Sequence, residues 1–304
     1  MVYKIKLDDE VMAEKQVDDP LTSQGLPFDK LHGNGNDFVL IDEIAEEHVS
    51  PSHKPLLAMS ICHRNFGIGA DGVLFIVPSG RADVGMRLFQ PDGSEAEMCG
   101  NGIRCLAKYA WQRGYVGEVF KVETLAGVLP VEVREADGFF WAKIEMGVPR
   151  FERHAIPAAG KGLFLEEPLE GFSVSAVNTG VPHAVIMVDD LELPVEEVAP
   201  PIRHSPVFLE GANVNFVRLG ESLEVRTFER GVEAETFSCG TGSVAAAAVA
   251  RRLGLVGDEV LVNTMGGPLA VSFDGEKAYL EGPAVTVFRG VLDPEYYSYL
   301  SEGI

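Results

Sequence analysis

The chain has 304 residues, 46% of them hydrophobic, and sets 46 Asp and Glu against 25 Lys and Arg for a formal charge of −21. That length fits about two domains or one large α/β domain, and the composition excludes the disordered and fibrous classes. The acid excess repels phosphate backbones and anionic lipid, so no nucleic-acid or membrane partner is expected.

Residues 1–26 are polar and acid-rich, with Asp8, Asp9, Glu10, Glu14, Asp18 and Asp19, and are expected to form a leader loosely attached to the fold. They carry acids where a signal peptide needs its apolar stretch. The 171–188 stretch, free of charge up to its end, is broken by Asn178, Thr179, Gly180, Pro182 and His183 and does not read as a spanning helix. From Phe28 the strand-like FVLID comes first, then a helical pattern over Pro55 to Asn65, then the strands GVLFIV and DVGMRLFQ, the last with Val84, Met86 and Leu88 alternating. A PDGS turn at Pro91 to Ser94 leads to Cys99, Gly100, Asn101 and Gly102, and IRCLAKYAWQR reads as a helix stopped by Gly114. Three strand-like runs follow, with a turn at Asp137 and Gly138.

The second half repeats this order. SLEVRTFE is a strand, Cys239 to Gly242 a second CGxG, SVAAAAVARRL a helix stopped by Gly254, and EVLVNT, LAVSFD and KAYLEG three more strands. Two related halves are expected, with a boundary near Met146 and Gly147.

Four cysteines are too few for a disulfide framework in a chain this long, so a reducing cytoplasm is the default. Cys62 and Cys105 lie on apolar helix faces and read as buried hydrophobes. Cys99 and Cys239 differ: each stands where a strand and turn hand over to a helix, with glycine next and again three residues on. Backbone N–H groups can approach a ligand there, and the helix N-terminus is expected to lower the thiol pKa. One cysteine with a histidine suits acyl transfer. Two thiols facing each other across a cleft suit inversion at carbon, one taking a proton and the other giving one to the opposite face, with helix amides stabilising the charge on a carboxylate. A reversible disulfide between the two is the redox alternative. No CxxC or HExxH occurs, so no metal is expected. Gly67, Gly69 and Gly72 spell GxGxxG but lead into a strand, which a dinucleotide site does not do.

HGNGNDFVLID at 32–42, PDGSEAEMCGNGIRC at 91–105, NTGVPHAV at 178–185, GANVNFV at 211–217 and FERGVEAETFSCGTGSVAAAA at 228–248 together resemble the diaminopimelate epimerase family. The resemblance runs in order over essentially the whole chain after Phe28. It implies an α/β (α+β) fold of two pseudo-symmetric domains, each a mainly antiparallel sheet curled around a central helix, with the active site in the cleft between them. The divisions would be residues 27–146 with 284–304, and 147–283. It also implies a cytoplasmic homodimer that interconverts LL- and meso-diaminopimelate, a small-molecule amino-acid substrate, without cofactor.

By the same resemblance Cys99 and Cys239 would be the acid and base. Gly100, Asn101, Gly240 and Thr241 would supply helix N-terminal donors, while Asn36, Gln90, Asn213, Glu229 and Arg230 would hold substrate. His183 and Glu229 would tune the thiols. On local chemistry alone turn caps are the favoured reading for Asn36 and Asn213, and a surface pair for Glu229 with Arg230. Three positions depart from the family pattern: Gln90 where Asn is frequent, Val181 where an Asn often precedes Pro-His, and Gly72 where Gln is common. All three bear on substrate choice, and a racemase of the same fold acting on another amino acid is the alternative.

Overall fold

In the computed structural model the described residues are 25–136 and 138–296. Strands β1 (Leu26–Gly33) and β2 (Asn36–Asp42) form a hairpin whose two loop residues, Asn34 and Gly35, have φ of 52° and 86°. Asn-Gly is the pair that such a tight turn favours, because both loop positions need positive φ. Helix α1 (Lys54–Ile61) is shorter than the expected Pro55–Asn65, with Cys62 as its C-cap. Strands β3 (Gly72–Val77), β4 (Val84–Phe89) and β5 (Glu95–Ala96) then deliver the chain to helix α2 (Gly100–Gln112). After it come β6 (Val119–Thr124), β7 (Gly127–Ala136) and β8 (Phe139–Gly147). Of the expected turn between β7 and β8, Asp137 lies outside the described residues.

The second passage runs β9 (Glu167–Leu169), β10 (Phe172–Asn178), β11 (Pro182–Met187), α3 (Val195–Arg203), β12 (Asn213–Leu219), β13 (Leu223–Glu229) and β14 (Ala234–Thr236). Helix α4 (Gly240–Arg252) and strands β15 (Glu259–Thr264), β16 (Gly267–Asp274), β17 (Lys277–Pro283) and β18 (Val285–Leu292) complete it. The pairings repeat. β2 lies parallel to β3 as β11 does to β12, β4 parallel to β6 as β13 to β15, and the other neighbours are antiparallel. β8 pairs with β17, which joins the two sheets into one. β18 returns from the second passage to pair with β1, and β9 pairs with β10 in the corresponding place.

Strands β2, β3, β11 and β12 are buried on both faces, which is why they read as unbroken apolar runs, whereas β6 and β15 bury one face only. Phe38, Leu40, Leu74 and Ile76 face α2, while Val39, Ile41, Val73 and Phe75 face outward onto α1. In the second passage Val185 and Val217 face α4, and Ala184, Ile186, Val214 and Phe216 face α3. Both central helices end in a glycine at φ +74°, Gly114 and Gly254, each allowing the next residue's N–H to turn back to the last turn's carbonyl. Two readings need correction. Leu26, assigned to the leader, is a buried residue of β1, and residues 1–24 lie outside the described ones. Helix α3 was missed: its Pro200 and Pro201 argue against a helix, yet Glu196 and Glu197 open it and its buried Val195, Ala199 and Ile202 hold it to the sheet.

The two passages also touch at the β15–β16 turn. Gly266 donates to the Phe237 carbonyl at 2.7 Å, and a Cβ there would stand 1.9 Å from the Asn34 carbonyl oxygen. Gly266→Ala is therefore expected to cost about 1–3 kcal/mol and to lower the thermal midpoint by about 2–4 °C per kcal/mol. Gly257→Ala, at an open position, should leave the midpoint unchanged in the same calorimetric comparison.

Candidate active site

Cys99 and Cys239 are the N-cap residues of α2 and α4, both with extended backbone. The helix starts meet: Asn101 Nδ2 donates to the Ser238 carbonyl at 3.2 Å, and buried Leu280 of β17 lies beneath both Gly100 and Gly240. The second glycine of each CGxG sits tightly, Gly102 against Leu74, which a Cβ would meet at 3.2 Å, and Gly242 against the thiol itself. A Cβ on Gly242 would lie 3.3 Å from the Cys239 sulfur and 2.5 Å from Asn215 Oδ1.

The thiol environments depart from the expected lowering of pKa. Burial dominates at both, pushing the Cys99 and Cys239 thiols up. The helix amides act in the anticipated direction, with the N–H groups of Gly102 and Asn101 opposing the rise at Cys99 and that of Gly242 opposing it at Cys239. They do not outweigh the loss of water. Cys62 and Cys105, also buried, are pushed up to about 12, as structural thiols should be.

Asn36 stands beside Cys99. Its Oδ1 accepts from the Cys99 thiol at 3.7 Å and from Asn101 Nδ2 at 3.2 Å, and its Nδ2 donates to Asp71 at 2.8 Å. Asp71 in turn pairs with Arg64 at 2.7 Å, Arg64 with Asp37 at 2.8 Å, and Asp37 with Lys30 at 2.6 Å. This chain of charges fixes the amide of Asn36, and sequence reasoning missed it because Arg64 and Asp71 lie far from Asn36 in sequence.

Glu229 ends β13 next to Cys239. It accepts hydrogen bonds from the Thr236 hydroxyl and the Cys239 thiol, while burial raises its pKa. The Thr241 hydroxyl lies 3.3 Å from the Cys239 sulfur, and the Thr241 carbonyl accepts from Thr179 at 2.9 Å. His183 is fully buried, and burial, with nearby Arg230, holds its pKa down to about 3. Asn215 Nδ2 lies 3.1 Å from His183 Nδ1 and can only donate, so the neutral ring keeps its proton on Nε2, which has no partner among the described residues.

Three further candidates bond within the chain. Asn213, the first residue of β12, accepts from the Arg230 backbone at 2.7 Å and donates to the Pro182 carbonyl, tying the end of β13 to the start of β11. The Arg230 guanidinium donates to the Glu210 carbonyl at 3.1 Å. Gln90 is exposed and bonded to Ser94 at 3.0 Å, and no hydrogen bond joins it to the thiol cluster among the described residues. Gly72 opens β3, where a Cβ would lie 3.0 Å from Leu88, so the glycine serves packing at that point. Among the described residues no three His, Cys, Asp or Glu side chains converge in a metal-ligating group, and no helix is long and apolar enough to cross a membrane.

The family model for diaminopimelate epimerase matches residues 28–152 and 175–287. The chain belongs to the diaminopimelate epimerase family. It is 72% identical to the diaminopimelate epimerase of Methanothrix thermoacetophila over 270 residues, covering 89% of this chain and 97% of that one. The corresponding protein of Methanocella arvoryzae is 54% identical and covers 89% and 98%. Among solved structures the fold matches a PhzF-family phenazine biosynthesis protein of Bacillus anthracis, with TM-score 0.68, 20% identity and 88% and 98% of the two chains covered. It also matches a probable proline racemase of Agrobacterium radiobacter, with TM-score 0.62, 16% identity and 92% and 96% covered. All share the fold, and the relatives of high identity share the family.

Burying neutral His183 links stability to pH. Its ordinary value of 6.5 applies in the unfolded chain and about 3 in the folded one, so between those values the unfolded state binds the extra proton. The contribution is fully present above 6.5 and is lost as pH falls toward 3. Relative to His183→Gln, the wild type should lose up to about 1.4 kcal/mol per pH unit in that window. Denaturant curves at a series of pH values measure this, and parallel stability profiles would refute it.

Proposed function

We propose that this chain is a diaminopimelate epimerase, an isomerase that interconverts LL- and meso-diaminopimelate in lysine and peptidoglycan synthesis. The observation that carries the reading is the meeting of two cysteine-capped helix N-termini, one from each repeat. A thiolate at one cap removes the α-proton and becomes a thiol. The thiol at the other cap gives its proton to the opposite face and becomes the thiolate. The negative charge that passes through the carboxylate falls where two helices direct their free N–H groups, in a buried place where such donors are most effective. Asn36, Asn101 and Thr241 line the reacting end. Glu229 and Arg230 have the charges to hold the second ammonium and carboxylate, with Arg230 turning from the Glu210 carbonyl to do so. His183 and Glu229 set the protonation balance of Cys239. Among the described residues the two lobes are 26–146 with 284–296, and 147–283, and the enzyme works in the cytoplasm.

In D2O, LL-diaminopimelate should yield meso product carrying one α-deuterium. Cys99→Ser and Cys239→Ser should each lower turnover about a hundred- to ten-thousand-fold with circular dichroism and thermal midpoint retained. Racemisation of a different amino acid, with diaminopimelate inert, would favour the same-fold racemase instead. Unchanged turnover in either serine variant would eliminate the two-thiol reaction.

The protein acts as a homodimer. β18 pairs only with β1 among the described residues, and it exposes Val285, Val287, Phe288 and Val291, an apolar edge that soluble monomers seldom leave open. Sedimentation should give twice the 32.9 kDa chain mass, and Val287→Asp should shift it to the monomer. A wild-type monomer at micromolar concentration would remove this assignment.

A further inference from the structure

Helix α2 carries a charge that its surroundings do not cancel. Arg104 is fully buried, and no carboxylate pairs with it among the described residues. Its Nη2 donates to Asn101 Oδ1 and Asn34 Oδ1, both at 2.8 Å, and its Nε to the Pro283 carbonyl at 3.2 Å, while Nη1 has no partner. The slot is shaped for it. A Cβ on Gly33 would stand 3.0 Å from Nη2, and one on Gly282 would stand 2.9 Å from Nε. Both amides it grips reach across to the other repeat, Asn34 to the Gly266 and Pro268 carbonyls and Asn101 to the Ser238 carbonyl.

The pseudo-symmetry supplies the comparison. Counting five residues from each cysteine, Arg104 corresponds to Val244, which is equally buried in α4. Packing against the curled sheet therefore needs no charge at this helix position, and an isolated buried cation costs free energy. Other correspondences differ as well. Leu74 pairs with Leu88 where Asn215 pairs with Thr227, and Phe38 pairs with Gly72 where His183 pairs with Asn213. The floor beneath Cys99 is apolar and that beneath Cys239 is polar. Gln90 follows Phe89 as Glu229 follows Phe228, so the carboxylate stands only on the Cys239 side.

We propose that Arg104 is a positioning residue that makes the two thiols unequal: it fixes Asn101 and favours negative charge on Cys99, so that the free enzyme holds Cys99 as base and Cys239 as acid. This rests on the two-thiol reading above. Among the described residues the titratable and charged groups around Cys99 are Arg104 and Cys105 on its own helix, Glu229 on β13, Cys239 at the start of α4 and, behind Asn36, Asp71 paired with Arg64. Of these Arg104 is the one cation that no carboxylate pairs. Burial brings its own pKa down to about 10, which leaves it charged at neutral pH. Cys239 faces the reverse arrangement, with Glu229 accepting from its thiol and no cation in Arg104's place.

The test is the pH dependence of alkylation of each cysteine, resolved by mass spectrometry on the full chain with iodoacetamide, beside the pH profile of kcat/KM. In the wild type the midpoint for Cys99 should lie below that for Cys239; equal or reversed midpoints would overturn the proposal. In Arg104→Met the Cys99 midpoint should rise by about one pH unit while that of Cys239 stays. The acid limb of kcat/KM should move with it, giving about a tenfold loss at pH 7 that is recovered at high pH. Arg104→Lys keeps the charge and should keep the limb. A Met variant with an unmoved Cys99 midpoint, or with both midpoints moved alike, refutes the proposal, and if that variant does not fold the wild-type order decides. Absence of turnover on diaminopimelate would count against the function and leave the alkylation order to be judged separately.

Discussion

The molecule is arranged around two thiols brought to one place, Cys239 buried and Cys99 half-buried, each at the positive end of a buried helix. A thiol at a helix start gains from the free N–H groups there, but only if the start is open to a ligand, and a helix starting in the interior needs walls that satisfy the rest of its surface. The curled sheets supply those walls. Phe38, Leu40, Leu74 and Ile76 enclose α2, and Val185, Val217, Val262 and Val271 enclose α4. The β8–β17 pairing then brings the two open ends together over Leu280.

Enclosure has a cost. The same burial that excludes water raises both thiol pKa values, so the site cannot rest on helix dipoles alone. The groups near it act on that rise in opposite senses, Arg104 and Thr241 opposing it and Glu229 adding to it. Asn36 and Arg104 stand on the Cys99 side, Glu229, Thr241, His183 and Asn215 on the Cys239 side. Each is itself held by a further set of bonds, Asn36 by Asp71 and the Arg64–Asp37–Lys30 charges, and Asn215 by Thr227. A side chain with its rotamer fixed in this way loses little entropy when substrate arrives, and that is how preorganisation contributes to binding and rate.

The elements closest to the thiols were legible in the sequence because local rules fix them. CGxG followed by an alanine-rich or amphipathic run, ended by Gly114 or Gly254, can scarcely be anything but a capped helix, and the two occurrences exposed the repeat. The double-sided burial of β2, β3, β11 and β12 was visible only as apolar runs, and the partner of each face was not. Helix α3 was hidden by Pro200 and Pro201, since tertiary packing overrode propensity there. The supporting polar groups were hidden for a different reason. Asn34, Asp71, Arg104 and Asn215 acquire their meaning from partners distant in the chain, and an arginine within CGNGIRC reads locally as one more helix former.

Repetition with local divergence explains why the site can be both symmetric and directional. A perfectly two-fold site would give both thiols the same environment, and a single proton shared between them would have no preferred seat. Inversion in either direction needs a thiolate on one face and a thiol on the other when substrate arrives. Replacing the apolar trio Phe38, Leu74 and Leu88 by His183, Asn215 and Thr227, and Gln90 by Glu229, breaks the degeneracy without disturbing the backbone that places the sulfurs. This change of polarity lies on the inner face at the helix starts. Further along the same strands, where Leu40, Ile76 and Met86 answer to Val185, Val217 and Val225, both repeats are apolar, because there the only task is to close the wall around the helix.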